Sequence, residues 1–319
     1  MVENNSIAIV IPSYKVSSHI AQVIATLPAS IDHIIVVDDM CPEKSGMIAQ
    51  QIAVNDPRIQ VIFHEKNQGV GGAVISGYYA AMDKNCDIVI KMDGDGQMDP
   101  GFIPALIEPL KKNKADYTKG CRFSNPETLR NMPKIRLFGN SMLSFILKVC
   151  SGYWNVMDPT NGYTAISIRA LKKLRFEHLS KRYFFESDML VHLNIYNCVV
   201  RDIAMPSIYG DEKSSLRVGN ILLKFPFLLT KRFFKRIFYK FFLFDFNMAS
   251  VYIITGLPMF IFGTLFGIYR WIYGSMHQEI NSTGTIMLSI LPIILGIQFI
   301  LQAIQIDISS IPKKMDDEE

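Results

Sequence analysis

The sequence predicts an α/β domain, with a mostly parallel sheet covered by helices on both faces, followed by two membrane-spanning helices. Within residues 1–120, short apolar strands alternate with helical segments, and the strands are apolar at consecutive positions. Such strands are typical of parallel sheets buried on both faces. Residues 247–269 and 280–306 contain no charged residue. Each run exceeds the roughly 20 residues that a helix needs to cross a bilayer, so two buried core helices are the less favoured alternative.

The elements of the α/β part follow one another in a regular order. SIAIVI predicts the first strand, and residues 19–27 predict a helix because apolar residues recur at helical spacing. Three more strands are expected in HIIVV, IQVIF and DIVIKM, with a helix in AVISGYYAAM between the last two. The carboxyl ends of parallel strands form one edge where ligands bind. We therefore expect one site built from the polar segments that follow the strands, namely PSY (12–14), DD (38–39), NQG (67–69) and DGD (93–95).

The composition excludes several classes of protein. Of the 319 residues, 49% are hydrophobic and 19% are charged, which is too apolar for a disordered chain. The five cysteines are scattered without a C-x-x-C pair, which argues against a disulfide framework or a zinc site and fits a reducing compartment. The first residues lack the basic segment of a secretory signal, so SIAIVI is interpreted as a strand.

The net charge of +4 is concentrated in one block. Residues 213–240 contain eight Lys and Arg and no acidic residue, whereas residues 1–212 are balanced. Lys and Arg near a span stay on the cytoplasmic side, so the α/β domain and the C-terminal tail are expected there. The predicted organisation is a domain at 1–220, an interfacial helix at 221–246, spans at about 247–271 and 282–306, and a cytoplasmic tail at 307–319.

The basic block predicts an amphipathic helix that lies in the membrane interface. Its cations recur at helical spacing, and phenylalanines fill another face. We expect the cations to face lipid phosphates and the aromatic rings to enter the acyl boundary. Nucleic acid is the less favoured partner, because the block is rich in Phe and adjoins a span. The cations concerned are Lys231, Arg232, Lys235, Arg236 and Lys240.

The segment Asp93-Gly94-Asp95 is the candidate metal site. Two carboxylates one residue apart, after a buried strand, can bind Mg²⁺ or Mn²⁺, which prefer oxygen ligands and share them with substrate phosphates. Gln97 and Asp99 could add ligands or supporting hydrogen bonds. The alternative is an acidic turn, since Asp and Gly are common turn residues. The six histidines show no ligand spacing and are assigned no metal.

The other polar segments each allow a structural and a functional interpretation. Asp38 and Asp39 could accept hydrogen bonds from a nucleoside or form a solvated strand end. The glycines from Gly69 onward could bring backbone close to a ligand at a helix start or permit close packing. Glu186 and Asp188 flank the start of a helix, where they could complement its dipole or supply a general base. From spacing alone the structural interpretation is favoured for Asp38, Asp39 and the Glu186–Asp188 pair.

Taken together, the motifs resemble family 2 glycosyltransferases, in the branch that includes dolichol-phosphate mannose synthase and bacterial polyprenyl-phosphate glycosyltransferases. The resemblance covers about residues 6–215, and the two C-terminal spans are similar to those of the same branch. It is carried, in order along the chain, by IPSY, VVDD, NQGVGGA, DGDGQMDP, KGCRF, DPTNGY and FFESD.

The resemblance implies a GT-A fold and an inverting transfer from a UDP- or GDP-linked hexose to a polyprenyl phosphate. It implies that Pro12, Tyr14, Asp38, Asp39 and Gly69 bind the nucleotide sugar, and that Asp93, Asp95 and Gln97 hold the metal and the diphosphate. Arg122 and Arg136 are similar to arginines that bind the lipid phosphate. The branch often carries an R-x-x-G-x-S-K-like segment near the domain end; its Arg is missing here, and Lys213 and Ser214 are the residues that would serve. Asp158, Glu186 and Asp188 would line the acceptor side.

Two alternatives remain open at this stage. Transfer to a sugar hydroxyl of a lipid-linked glycan would need a base, for which Asp188 is the candidate. A non-catalytic membrane scaffold is disfavoured by the intact Asp93 and Asp95 pair. The resemblance also permits a homo-oligomer, although no residue pattern specifies one.

Overall fold

The structure is a computed structural model that describes residues 5–124, 134–206 and 218–314. Within these ranges, the side chains of residues 124, 134–138, 140 and 218–224 are not described. The strands are β1 (Ile7–Ser13), β2 (His33–Asp38), β3 (Ile59–Phe63), β4 (Ile88–Lys91), β5 (Tyr117–Cys121), β6 (Thr164–Ser167) and β7 (Val200–Ala204). The helices of the α/β part are α1 (Ile20–Ala25), α2 (Ser45–Ala53), α3 (Val70–Asp83), α4 (Ile103–Lys111), α5 (Lys134–Ser151), α6 (Ile168–Lys173) and α7 (Phe185–Ile195).

The seven strands form one sheet in the order β3-β2-β1-β4-β6-β5-β7. β6 is antiparallel to both of its neighbours, and the remaining pairs are parallel. The prediction of a mostly parallel sheet is therefore confirmed. Apolar residues of β1, β2 and β4 pack with those of α1 and α4 in one core. α3 lies so close to β1 that a Cβ at Gly77 would lie 2.2 Å from Val10 Cγ1.

The chain divides into two compact units, residues 1–236 with 312–319, and residues 237–311. The last helix of the first unit, α8, begins at Val218 and ends at Phe238 beyond the unit boundary, where a π-helical turn, Tyr239–Phe244, follows. The second unit contains two long helices, α9 (Met248–His277) and α10 (Thr283–Ser309). Both are long and apolar enough to cross a membrane, with mean hydropathies of 1.9 and 2.2 and 11% and 6% of their apolar windows buried.

The helices α9 and α10 pack against each other through small residues. A Cβ at Gly256 would lie 2.7 Å from Phe299 Cβ, and Ser289 Oγ donates a hydrogen bond of 3.1 Å to the carbonyl of Gly263. Close backbone contact between apolar helices is the usual arrangement in a bilayer, where hydrophobic burial gives them little reason to associate. α9 has 30 residues and α10 has 27, against about 25 predicted for each span.

Lys231 of α8 is exposed, but three other cations of this helix face the domain, so the expectation that the cations contact lipid phosphates is wrong for those three. Arg236 is fully buried and donates to the carbonyls of Val149 and Cys150. Arg232 and Lys235 are also turned toward the domain. The regular spacing of the cations places them on one face of the helix, but it does not show whether that face contacts the domain or the membrane.

Candidate active site

The segment after β4 presents two carboxylates at the carboxyl edge of the sheet. Asp93 is partly exposed, and Asp95 accepts a hydrogen bond of 3.0 Å from the backbone N–H of Gln97. Asp99 accepts one from the N–H of Gly101 and so begins a short 3₁₀ turn. In the described part of the chain, no three His, Cys, Asp or Glu residues are grouped to hold a metal. Asp93 and Asp95 fit a Mg²⁺ or Mn²⁺ ion that takes its remaining oxygens from substrate and water.

The ammonium of Lys91 joins this segment to the start of α7. Its Nζ lies 2.8 Å from Asp93 Oδ1 and 3.5 Å from Glu186 Oε1. Burial would lower the pKa of Lys91, but the two carboxylates outweigh burial and raise it above its ordinary value. A Cβ at Gly162 would lie 2.4 Å from this Nζ, so glycine there leaves room for the lysine. The sequence interpretation missed Lys91, for which the signal was a charge inside an apolar strand.

A second buried lysine lies near Lys91 on the same face of the sheet. Thr164 of β6 pairs in register with Lys91 of β4 and with Lys119 of β5, and residues opposite each other on adjacent strands share a face. Burial lowers the pKa of Lys119 to about 8, although the Asp158 and Asp202 carboxylates oppose that shift. Its Nζ has no hydrogen-bond partner among the described residues.

Asp38 and Asp39 are buried and bind backbone groups. Asp38 accepts hydrogen bonds of 2.7 Å from the N–H groups of Cys41 and Gly46, one on each carboxylate oxygen. Asp39 accepts from the N–H groups of Gln68 and Gly69 and contacts the His64 ring at 2.8 Å. Both carboxylates thus fix loops at the edge of the sheet. The nucleoside contacts that the resemblance implies for them remain a prediction.

The glycine-rich turn packs against the residues that precede α7. Gly69 has a φ of +90°, and a Cβ there would lie 2.6 Å from the carbonyl oxygen of Lys181. A Cβ at Gly71 would lie 2.5 Å from the carbonyl oxygen of Ser180. These contacts support the packing interpretation. Because the Gly69 N–H donates to Asp39, that group is already engaged and not presented to a phosphate. Of the other predicted nucleotide contacts, Pro12 is half-buried and the Tyr14 side chain is exposed.

Arg122, directly after β5, forms an ion pair with Asp158. The guanidinium donates from Nε at 2.7 Å to Asp158 Oδ2 and from Nη2 at 3.0 Å to Oδ1. Burial raises the pKa of Asp158, but the Arg122 hydrogen bonds and charge outweigh burial and hold it below its ordinary value. The Arg122 side chain remains 41% exposed. Arg136 lies near the start of α5, but its side chain, like residues Lys213 and Ser214, is outside what the structure describes.

The two acids at the start of α7 have different surroundings. The Asp188 side chain is fully buried and paired with Arg232, whose Nε lies 2.7 Å from Oδ1. Glu186 keeps 18% of its side chain exposed and faces Lys91. Of the two, Glu186 is therefore the more exposed carboxylate and the one that contacts Lys91. The sequence could not separate them, because both precede the same helix.

The edge of the sheet thus gathers a carboxylate pair, a buried ammonium, a partly exposed glutamate and a half-exposed arginine. Such a group can hold a cation with a diphosphate on one side and an anionic or hydroxyl acceptor on the other. Known proteins support this interpretation in two ways. The family model "Glycosyl transferase family 2" matches residues 8–175. A UDP-N-acetylglucosamine–dolichyl-phosphate N-acetylglucosaminyltransferase of Methanococcus voltae is 32% identical over 232 residues, which are 69% of this chain and 92% of the relative.

Two further comparisons agree with the family match. A polyprenol monophosphomannose synthase of Mycolicibacterium smegmatis is 28% identical over 189 residues, 57% of this chain and 69% of the relative. The fold is also similar to a crystal structure of glucosyl-3-phosphoglycerate synthase from Mycobacterium tuberculosis in complex with Mn²⁺, UDP and phosphoglyceric acid. The superposition has a TM-score of 0.53 and 17% sequence identity, and it covers 72% of this chain and 78% of the synthase chain. This likeness supports the GT-A fold that the sequence predicts. The chain belongs to glycosyl transferase family 2 and is a glycosyltransferase.

Proposed function

We propose that the protein transfers a hexose or N-acetylhexosamine from a nucleotide sugar to a polyprenyl phosphate at the cytoplasmic face of a membrane. The observation that carries the proposal is the pair of apolar helices, α9 and α10, on a family 2 transferase chain. A polyprenyl chain does not leave the bilayer, so an enzyme that uses it must work at the membrane. The acceptors named for two relatives, a dolichyl phosphate and a polyprenol, support the same choice.

Asp93 and Asp95 would hold Mg²⁺ or Mn²⁺, and the ion would neutralise negative charge on the departing nucleoside diphosphate. A phosphate oxygen of the acceptor attacks the anomeric carbon, a new C–O bond forms, and the bond to the diphosphate breaks. One such displacement inverts the anomeric configuration. Arg122, which is 41% exposed, is the arginine assigned to the acceptor phosphate, because a guanidinium binds phosphate well. Positioning and charge stabilisation then supply most of the rate enhancement.

A phosphate acceptor is anionic near neutral pH and needs no general base. This agrees with the surroundings of Asp188, which is buried against Arg232 and is poorly placed to remove a proton from a sugar hydroxyl. The proposal therefore gives no proton-transfer role to Asp188. Glu186, which contacts Lys91 and keeps some exposure, is assigned to the sugar side of the site.

The test is radiolabel transfer by purified protein in lipid, with Mg²⁺ or Mn²⁺ and a short-chain polyprenyl phosphate. UDP-N-acetylglucosamine is the first donor and GDP-mannose the second, with other UDP- and GDP-hexoses after them. Asp95→Ala is the inactive control, and Asp83→Ala, at the far end of α3, is the matched surface control. Label in the organic phase that is lost only with Asp95→Ala supports the proposal. Donor hydrolysis without labelled lipid would move the acceptor to a glycan hydroxyl and overturn it.

A further inference from the structure

We propose that Arg232 and Asp188 are positioning residues, whose buried ion pair fixes the active-site helix α7 to the membrane-proximal helix α8. Neither residue is expected to touch the substrates. The inference rests on the proposed function only in taking polyprenyl phosphate as the acceptor in the activity assay. It replaces the role of a general base that the sequence suggested for Asp188.

Arg232 contacts both carboxylate oxygens of Asp188 and holds the two helices in a fixed orientation. Arg232 places Nε 2.7 Å from Asp188 Oδ1, as an ion pair, and donates from Nη2 at 2.8 Å to Oδ2. The same Nη2 donates at 2.9 Å to the carbonyl of His178. Asp188 is fully buried, and the Arg232 side chain keeps only 16% exposure. A planar guanidinium held at two oxygens fixes orientation as well as distance, which an ammonium does not.

A second contact joins the same two helices one turn further along. His192 of α7 donates from Nδ1 to the carbonyl of Asp188 at 2.9 Å, and its Nε2 lies 3.2 Å from Lys235 Nζ. Lys235 therefore donates to Nε2 in this arrangement. Leu229 of α8 also packs with Phe184, the residue before α7, in a small apolar cluster. The two helices therefore meet along a continuous polar and apolar surface.

The Arg232–Asp188 pair is connected to the active site in two ways. Asp188 lies in the first turn of α7, two residues after Glu186, which contacts Lys91 at the carboxylate pair. Asp188 Oδ2 also accepts a hydrogen bond of 2.8 Å from the N–H of Ser180. The next carbonyl, that of Lys181, accepts one of 3.0 Å from the N–H of Gly72 in the glycine-rich turn. A shift of Arg232 would thus move both Glu186 and the start of α3.

The key variant is Arg232→Lys, which keeps the charge and removes the two-point contact. We expect kcat for lipid labelling to fall about 10- to 100-fold, since displacements near 1 Å can cost about that much, while the donor KM changes less than threefold. The matched control is Arg58→Lys, because Arg58 contacts both carboxylate oxygens of Asp56, from Nε to Oδ1 and from Nη2 to Oδ2, outside the site. The control should keep kcat within twofold.

Hydrogen exchange provides a readout that does not depend on the acceptor. Arg232→Lys should raise amide exchange in residues 180–190 and leave the exchange of β1 and β2 unchanged, whereas Arg58→Lys should not alter residues 180–190. The pH profile of Asp188→Asn should keep the parent shape at a lower rate, since no base is removed. The double variant Asp188→Asn with Arg232→Lys should be no slower than the slower single variant.

These results separate the inference from the proposed function. If the parent protein fails to label lipid, the exchange of residues 180–190 and donor hydrolysis still decide the role of the pair. Parent-like exchange at residues 180–190 in Arg232→Lys would overturn the inference, and so would a kcat within twofold of the parent. Loss of the acidic limb of the pH profile in Asp188→Asn would restore the general-base assignment. A variant that fails to insert or fold is replaced by Arg232→Gln, assayed by the same exchange comparison.

Discussion

At the scale of residues, one buried ammonium connects the two acidic motifs of the site. Lys91 lies between Asp93 and Glu186, and its raised pKa keeps it charged throughout the neutral range. A lysine with a raised folded-state pKa stabilises the fold at every pH below its ordinary value of 10.5, and the contribution is lost as pH rises past the folded value.

Lys91→Met tests this bridge, because Met has similar volume and no charge. We expect the free energy of unfolding of the first unit to fall by about 2–4 kcal/mol at pH 7, since two partly buried carboxylates lose their counter-ion. For a unit of this size the midpoint of thermal unfolding should drop by roughly 5–12 °C. The measurement is thermal unfolding in detergent, followed by circular dichroism.

Lys112→Met is the control, because Lys112 pairs with Glu108 on an exposed face of α4 and such pairs contribute little. If Lys91→Met and Lys112→Met unfold at the same temperature, Lys91 does not stabilise the fold by bridging Asp93 and Glu186.

The residues of this site were predictable to different degrees. Asp93 and Asp95 follow a buried strand in the sequence, so their place at the sheet edge could be inferred from strand order alone. Lys91 and Glu186 are 95 residues apart, and their contact depends on the register of β4 against β6 and on the placement of α7. The roles of Asp38 and Asp39 depended on which backbone N–H groups turn toward them. Spacing carries no information on these points.

At the scale of elements, α8 shows how an amphipathic pattern can be assigned to the wrong face. The sequence gives two stripes, one cationic and one aromatic, and lipid could contact either. The structure turns Arg232 and Arg236 inward and leaves Phe227 and Phe234 exposed by 72% and 62%. Because α8 leads into two apolar helices, we expect these exposed phenylalanines to contact the acyl boundary of a membrane.

Phe234→Trp tests whether this surface contacts lipid. The indole should be quenched by phospholipids brominated on their acyl chains, because aromatic rings at that position would lie at the headgroup boundary. Fluorescence is measured in vesicles and compared with the parent, whose Trp154 and Trp271 give the background. Phe63→Trp, at a similarly exposed position of β3, should add unquenched emission. Equal quenching of the two added indoles would show that the aromatic face of α8 does not contact the membrane.

At the scale of the whole molecule, the chain leaves the first unit, forms two antiparallel apolar helices and returns. The described tail residues Pro312–Lys314 belong to the first unit, and Lys314 Nζ lies 2.9 Å from Asp116 Oδ1. Asp116 also accepts a hydrogen bond of 2.8 Å from the N–H of Val199, beside the start of β7. If both helices span a bilayer, the domain and the tail must lie on one side and the turn near Glu279 on the other.

Single cysteines can establish this topology, because the five native cysteines are all buried and should react slowly with a membrane-impermeant maleimide. Glu279→Cys, in the turn between α9 and α10, is expected to be labelled from outside intact cells. Lys313→Cys, in the exposed part of the tail, is expected to be labelled only after the membrane is permeabilised, because the basic block predicts a cytoplasmic first unit. The parent protein sets the background. The reverse pattern would put the catalytic domain outside the cell, away from cytoplasmic nucleotide sugars. Labelling of both sites from outside would mean that α9 and α10 do not span the membrane.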